Sequence, residues 1–482
     1  MISKRFSTQG LRFVSTIILA RILSPEDFGI LAMAAMILHF IEAISDPTFE
    51  VQILKKDKVD PRLYDTVWTF QVIRGFLIAT LLLVLAPFLA DFFSEPRLDQ
   101  VLLLVALTPV IDGFKNVGLV LFEKDMNFKK QFLVETASVF ASAVVAITLG
   151  LLMRTYWPLI IGMVVASATR FALSYAMHPY RPRPSLFGWR DTIGIGAWLL
   201  VSRICSFIES KAGDFAVGRL IGTAALGYFS IAFRLSDIAT QSLMAPARRV
   251  LLPGYAKMAN DPRLLQSSFL DVLSVMLIIG APVGAGMALT AEPLVEVLLG
   301  SKWQPAVPLI QILGIFGIVT VCVGNIEPTM LVLDKARLFV TVRAASTIVL
   351  LPVVYWGCAV GGAIGAAWAL LATSLVRLSM LWALALYNLD LSVVPLLRAV
   401  WRTLAAVGVM SLVVTGLKTA FPDSESFSQN LVELLSLTVA GAASYVVSHL
   451  LLWLGSGKPS GGEQRILSLV HVLRAKRNLR SA

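Results

Sequence analysis

Apolar runs of about 20 residues, separated by short polar loops, recur along this whole chain and restrict it to one architecture. A run of that length crosses the bilayer as an α-helix, whereas barrel strands are about 10 residues long and alternate in polarity. Only 15% of the 482 residues are charged and 57% are hydrophobic, against roughly 25% charged in soluble domains. The mean hydropathy of +0.78 agrees. The chain therefore reads as an all-α polytopic membrane protein with about fourteen transmembrane spans, and no soluble domain of useful size fits between them. Spans are expected at 6–23, 27–45, 66–90, 99–121, 131–152, 157–177, 192–220, 225–246, 268–290, 306–332, 338–358, 362–386, 396–417 and 431–454. The first continues into Arg21 without an A-x-A cleavage site, as a retained helix does and a signal peptide does not.

An internal repeat organises these spans. LARILSPEDFGILAMA (19–34) returns without a gap as VGRLIGTAALGYFSIA (217–232), which places Arg219 on Arg21, Gly227 on Gly29 and Ala232 on Ala34. Further along, ASATRFALSYAM and TSLVRLSMLWAL align Arg170 with Arg377. Spans 1–6 therefore resemble spans 7–12. Six is an even number, so the two copies enter from the same side and are parallel repeats about an axis along the membrane normal. The expected division is an N-lobe over 1–178, a Pro-rich cytoplasmic linker over 179–190, a C-lobe over 191–387 and two further spans over 388–455. From 456 to 482 a basic tail puts Ile466, Leu469, Val470 and Leu473 on one face, suited to the anionic inner leaflet. Lys and Arg concentrate in the loops after even-numbered spans and at both ends, which places both termini in the cytoplasm.

Catalytic signatures are missing. Gly457 and Lys458 are followed by Pro459, so they form no phosphate loop; no HExxH occurs, and His39, His178, His449 and His471 are scattered. Cys205, Cys322 and Cys358 lie in apolar segments and read as packing residues. The sequence thus points to no enzyme, cofactor or metal site, and its net charge of +11 reflects membrane topology and not nucleic-acid binding. What remains is charge inside the membrane, where each buried charge costs at least about 2.5 kcal/mol and marks function.

These charges form stripes. Arg203, Ser206, Ser210 and Asp214 share one helical face, as do Arg234, Asp237 and Gln241, and His39, Glu42 and Asp46. Arg12, Arg74, Arg170 and Arg377 lie inside other spans. We expect the stripes to line a shared water-filled cavity between the lobes. The substrate-binding candidates are Arg203, Arg234, Arg74, Arg170, Arg377 and Arg12; those for coupling or charge pairing are Asp214, Asp237, Glu209, Lys211 and Glu42. Bland roles compete: Arg234 and Asp237 as a structural pair, snorkelling stems at Arg74, Arg170 and Arg377, Asp214 as partner of Lys211 or Arg219, and Arg21 and Arg219 as interfacial anchors. The surplus of Arg over acid implies an anionic ligand, because guanidinium stays charged and grips phosphate bidentately. A phosphate- or pyrophosphate-linked lipid or an acidic glycan meets that description.

LARILSPEDFGILAMA, GDFAVGRLIGTAALGYFSIAFRL (213–235) and LVEVLLGSKWQPAVPLIQIL (294–313) resemble the polysaccharide-transport branch of the multidrug/oligosaccharidyl-lipid/polysaccharide exporter superfamily, the Wzx-like and colanic-acid-exporter-like flippases. Asp214, Gly218, Arg219, Gly222, Gly227, Tyr228 and Arg234 match that pattern, while the N-terminus is shorter than is usual there. The resemblance implies two six-helix lobes plus two helices. It also implies alternating access that moves undecaprenyl-pyrophosphate-linked oligosaccharide across the bacterial inner membrane for exopolysaccharide or O-antigen synthesis. Its expected partners are that lipid-linked glycan, membrane lipids, a polysaccharide polymerase and a chain-length regulator. The alternatives are a cation-coupled drug exporter of the same fold, which calls for a net acidic cavity; a non-transporting scaffold of a polysaccharide-assembly complex; and a polymerase or ligase, which calls for a large periplasmic loop. The echo of SPEDFG, GTAALG, keeps the glycine without the acids, so the twin turns read as periplasmic corners, with Glu26 and Asp27 complementing a helix dipole.

Overall fold

Nine helices among the described residues are long and apolar enough to cross a membrane. One of them, Ala336–Asn388, bends where Gly361 leaves helical geometry and Gly362 takes φ +61°, between the expected spans 338–358 and 362–386. The computed structural model describes residues 2–45, 61–124, 128–187, 197–242, 251–421, 426–459 and 461–465. Asp46, Arg190, His471 and the apolar tail face from Ile466 onward lie outside them. The described residues are helical, without a strand, and fall into two compact units, Met1–Ser230 and Ile231–Ala482.

The described residues do not by themselves establish fourteen spans, because four of the expected ones fall short in length or apolarity. Ile2–Ile22, Ala197–Leu220 and Thr223–Asp237 carry polar stripes. The fourth, 99–121, is corrected here: it is not one helix but three pieces, Arg97–Val105, Leu107–Gly113 and Gly118–Lys124. Pro109 sits in the middle piece, where its missing N–H interrupts the helical ladder.

In the first unit the helices are α1 (Ile2–Ile22), α2 (Pro25–Ser45), α3 (Pro61–Phe93), α4 (Arg97–Val105), α5 (Leu107–Gly113), α6 (Gly118–Lys124), α7 (Phe128–Met153), α8 (Trp157–Met177), α9 (Ala197–Leu220) and α10 (Thr223–Asp237), the last running on into the second unit. Ser24 caps α2: its N and Oγ donate to Asp27 Oδ2 at 2.8 and 2.7 Å, and Asp27 N donates back to Ser24 Oγ at 3.3 Å. Pro25 occupies the first helical position, where its fixed φ is an asset. In the second copy Gly222, at φ +111°, stands where Ser24 stands, and Leu226 N bonds its carbonyl at 3.1 Å.

The twin turns pack on each other. A Cβ on Gly29 would lie 1.9 Å from Thr223 O, and one on Gly227 would lie 1.9 Å from Pro25 O. In the repeat alignment Gly29 corresponds to Gly227 and Pro25 to Thr223. The contact is therefore self-complementary, as two equivalent surfaces about a local two-fold axis must be. Beside it, Arg97 holds Glu95 bidentately at 2.6 and 2.9 Å, and its Nη2 lies 3.7 Å from Glu26. Hydrogen bonding from Arg97 holds the Glu95 carboxyl below the usual carboxylate range, against a smaller push upward from burial.

The Pro-rich linker is strapped to α3 between Tyr180 and Phe187. Asp65 Oδ1 accepts from the Tyr180 hydroxyl and from Arg183 N at 2.9 Å. Ser185 N donates to Thr69 Oγ1 at 2.9 Å, and Thr66 Oγ1 donates to Phe187 O at 2.8 Å.

The second unit holds α11 (Pro262–Leu289), α12 (Ala291–Leu298), α13 (Val307–Val323), α14 (Ile326–Val332), α15 (Ala336–Asn388), α16 (Val393–Lys418) and α17 (Phe427–Gly455). α11 and α13 cross at Gly284 and Gly314, where each glycine's missing Cβ would sit 2.8 Å from the other's carbonyl oxygen. The expected span 306–332 is interrupted between α13 and α14, and Asn325 Nδ2 there donates to Phe269 O at 3.1 Å. α16 and α17 share a core of Ala406, Met410, Val414, Leu437 and Tyr445, against which Ala285 and Leu289 of α11 pack.

Replacing Gly29 or Gly227 by Ala must push the turns apart and is expected to cost about 1–3 kcal/mol. Gly10→Ala, whose Cβ meets nothing within 4 Å, is expected to be neutral or to gain up to about 1 kcal/mol. Thermal unfolding of the detergent-purified protein compares the three.

Candidate functional site

Two glycines bring α3 and α5 together. A Cβ on Gly75 would lie 2.4 Å from Pro109 O and one on Gly113 would lie 2.8 Å from Gln71 O, so the backbones touch where a side chain would wedge them apart. Next to this contact is an open cleft of about 400 Å³ formed by residues of the first unit, among them His39, Glu42, Arg74, Asp112 and Lys115.

Arg74 Nε donates to Ser45 Oγ at 3.1 Å and Nη2 to Glu42 O at 2.9 Å, which fixes the guanidinium against the end of α2. His39 Nδ1 lies 3.0 Å from Glu42 Oε2. Asp112, at the end of α5, receives Lys115 Nζ at 3.2 Å and Arg170 Nη1 at 3.5 Å on the same oxygen, Oδ1. Its other oxygen accepts from Ser167 Oγ of α8 at 3.2 Å. Arg170 Nε is buried without a hydrogen bond; its nearest carboxylate is Glu135 of α7 at 3.9 Å, which in turn stands 4.0 Å from Arg12 of α1. One network thus joins α1, α5, α7 and α8, and Arg74 separately ties α3 to α2 across the cleft.

Of the expected substrate-binding arginines, this network gathers Arg12 and Arg170, while Arg74 is the one that reaches the cleft wall. Arg203 lies one helical turn before Phe207, whose ring is 5.4 Å from that of Phe40 beside His39. The antiparallel run of α9 along α2 carries it toward the same end without lining the cleft. Arg377 is buried in the second half of α15, while Arg234 and Asp237 are exposed on α10. Asp214 is buried and pairs with Lys211 at 2.6 Å. Glu209 is half-buried on the same helix. Arg219 stacks over Phe92 at 5.0 Å, as an anchor at a helix end does.

Asp112, Lys115 and Glu135 are not among the sequence candidates. All three interrupt expected spans as the arginines do, and the same rule applied to every charge finds them.

A second polar cluster lies in the second unit. Glu463, just past α17, accepts from Arg402 Nε at 2.8 Å and lies 3.6 Å from His449 Nε2. All three side chains are buried. Nearby, Arg465 Nε donates to Asp271 at 3.1 Å, and Gly462 lies against Ser274, so this short segment is stapled to α11 and α16.

Over residues 18–308 the sequence matches the model of the family described as polysaccharide biosynthesis protein. The chain belongs to that family. Among curated relatives, this family member is 27% identical over 454 residues to the succinoglycan biosynthesis transport protein ExoT of Rhizobium meliloti, covering 92% of this chain and 90% of ExoT. It is 26% identical over 366 residues to the lipopolysaccharide biosynthesis protein WzxC of Escherichia coli, covering 74% and 73%. Among solved structures it is similar to the lipid II flippase MurJ in an inward closed conformation, with a TM-score of 0.72 at 14% identity over 94% of this chain and 98% of that one. An inward-facing multidrug MATE transporter gives 0.56 at 15% identity over 81% and 98%. The fold of this family member is therefore that of a MurJ- and MATE-like transporter, and it is an integral membrane protein.

Glu463 gives a pH test. Burial raises its carboxyl, but bonding to His449 and Arg402 outweighs that and holds it down at about 2. A carboxylate depressed by folding stabilises fully above its ordinary value near 4.5 and loses that contribution as pH falls toward about 2. Amide exchange at 461–465 is expected to accelerate across that window, and Glu463→Gln to remove the pH dependence specific to the segment. Arg402→Met leaves the buried acid with His449 as its remaining partner and is expected to cost about 3 kcal/mol.

Proposed function

We propose that this chain is a flippase that carries an undecaprenyl-pyrophosphate-linked oligosaccharide from the inner to the outer leaflet of a bacterial inner membrane by alternating access, feeding exopolysaccharide or O-antigen synthesis. Both termini are cytoplasmic in this reading, as the distribution of Lys and Arg requires. The observation that carries it is the cleft among membrane-spanning helices, which presents Arg74 and Lys115, with Arg170 behind Asp112. Arg74 uses Nε and Nη2 on the protein and keeps Nη1 without a protein acceptor among the described residues. A diphosphate offers the oxygens that such a group takes.

On the cleft wall and directly behind it stand three cations, Arg74, Lys115 and Arg170, against two carboxylates, Glu42 and Asp112. That balance favours an anionic ligand over the organic cations of a drug exporter. The names of the relatives support the glycan side: ExoT is a succinoglycan biosynthesis transport protein, WzxC a lipopolysaccharide biosynthesis protein and MurJ a lipid II flippase. Arg203, Arg234 and Arg377 would serve the same ligand along its path, with Asp214, Asp237, Glu209, Lys211 and Glu42 as charge partners or coupling groups. A polysaccharide polymerase and a chain-length regulator are the partners this role implies.

Purified protein in liposomes is expected to move a labelled undecaprenyl-pyrophosphate glycan between leaflets. Arg74→Ala and Arg170→Ala are each expected to lower that rate about 10- to 100-fold, the equivalent of one charged hydrogen bond of about 1.5–3 kcal/mol. Arg74→Lys is expected to retain more than Arg74→Ala. Movement in wild type that neither arginine change affects would remove the ligand from this cleft.

A further inference from the structure

Several ion pairs among the described residues are fully closed. Lys211 to Asp214 and Arg97 to Glu95 close at 2.6 Å, Lys418 to Glu292 at 2.7 Å and Arg402 to Glu463 at 2.8 Å. These are the lengths of fully formed charge-assisted bonds. Around Asp112 the distances are 3.2 Å to Lys115 and 3.5 Å to Arg170, both to one oxygen. The carboxylate divides itself between two cations and closes on neither.

The position is also unusual. Asp112 is on the cleft wall, and Lys115 lies beyond the end of α5, in the break before α6, where it can swing without unwinding a helix. Asp112, Lys115 and Arg170 each retain between a fifth and a third of their side-chain exposure. A ligand in the cleft therefore meets Lys115 directly and reaches Arg170 by taking the place of the Asp112 oxygen that the two cations share.

We infer that Asp112 is the internal counter-ion of the carrier: in the empty protein it occupies Lys115 and Arg170 in place of the substrate's phosphate, and the arriving diphosphate displaces it. The inference rests on the proposed anion-binding role of the cleft and adds what happens after release. An empty carrier must return through the membrane, and bare cations there are costly. With Asp112 on them, the loaded and the empty cluster both carry a matched anion, so both conformational steps are open. Asp112 is thus a positioning residue that acts through Lys115 and Arg170, and the bonds it makes are strong enough to neutralise and long enough to yield.

The test separates net transport from exchange, because only net transport requires the empty protein to return. Liposomes holding the purified full-length chain receive a fluorescent undecaprenyl-pyrophosphate disaccharide, either in one leaflet alone or with the unlabelled lipid equilibrated across both. Asp112→Asn is expected to lower net movement at least tenfold more than it lowers label exchange, so that the ratio of net movement to exchange falls. Inorganic pyrophosphate is expected to inhibit exchange by this variant at about a tenfold lower concentration, since nothing competes with it for the cations. Asp112→Glu is expected to keep net movement. Asp112→Asn combined with Lys115→Gln removes one charge of each sign and is expected to recover part of it; the pair keeps the test open if the single variant folds poorly. Equal loss of net movement and exchange, or loss of net movement in Asp112→Glu, would overturn the inference. So would an Asp112→Asn protein indistinguishable from wild type. Wild-type protein that performs neither process overturns the flippase reading itself, a separate outcome.

Discussion

A guanidinium inside a bilayer must find a counter-charge, and the first unit is arranged around that requirement. Arg12, Arg74 and Arg170 come from helices far apart in sequence, yet each ends on an acidic residue or on the backbone beside one: Arg12 and Arg170 share Glu135, Arg170 also meets Asp112, and Arg74 caps the carbonyl of Glu42. The helices that bring these partners together cannot rely on hydrophobic collapse, because lipid is as apolar as their own side chains. They rely on close backbone approach at glycine. Gly75 against Pro109 seats α5 on α3, and that seat puts Asp112 on the cleft wall.

The same requirement is met differently in the second unit. Arg402, His449 and Glu463 form a buried cluster in which Arg402 closes on Glu463 at 2.8 Å, and the acid comes from the segment after α17. A triad of that kind fixes a chain segment; its geometry is not one that a mobile anion would replace. The contrast between the 2.8 Å bond there and the 3.5 Å contact of Arg170 with Asp112 separates a fastening from an adjustable site.

Much of this was legible in the sequence, for identifiable reasons. Hydropathy runs report helices directly, so the helical membrane fold and the turn at Gly361–Gly362 followed from periodicity alone. The break at Pro109 was written in the sequence as well, but an apolar run hides it, because hydropathy does not distinguish a continuous helix from a fractured one. Arginines stood out as charges; which of them converge did not, since Arg12, Arg74 and Arg170 are linked through helix packing that no local pattern encodes. The linker shows the opposite limit. Its prolines indicate stiffness, but that Asp65, Thr66 and Thr69 hold it along α3 depends on a helix more than a hundred residues earlier.

The reciprocal seat of the twin turns has a consequence for how such a chain can diverge. Each glycine is at once the tenant of one turn and the neighbour of the other's carbonyl, Gly29 under Thr223 and Gly227 under Pro25. A duplicated segment usually frees one copy to drift. Here each copy is the mould in which the other is cast, so the second turn differs from SPED in its acids, of which Glu26 is exposed and Asp27 serves only its own helix cap, while the glycine that the mould requires is present in both.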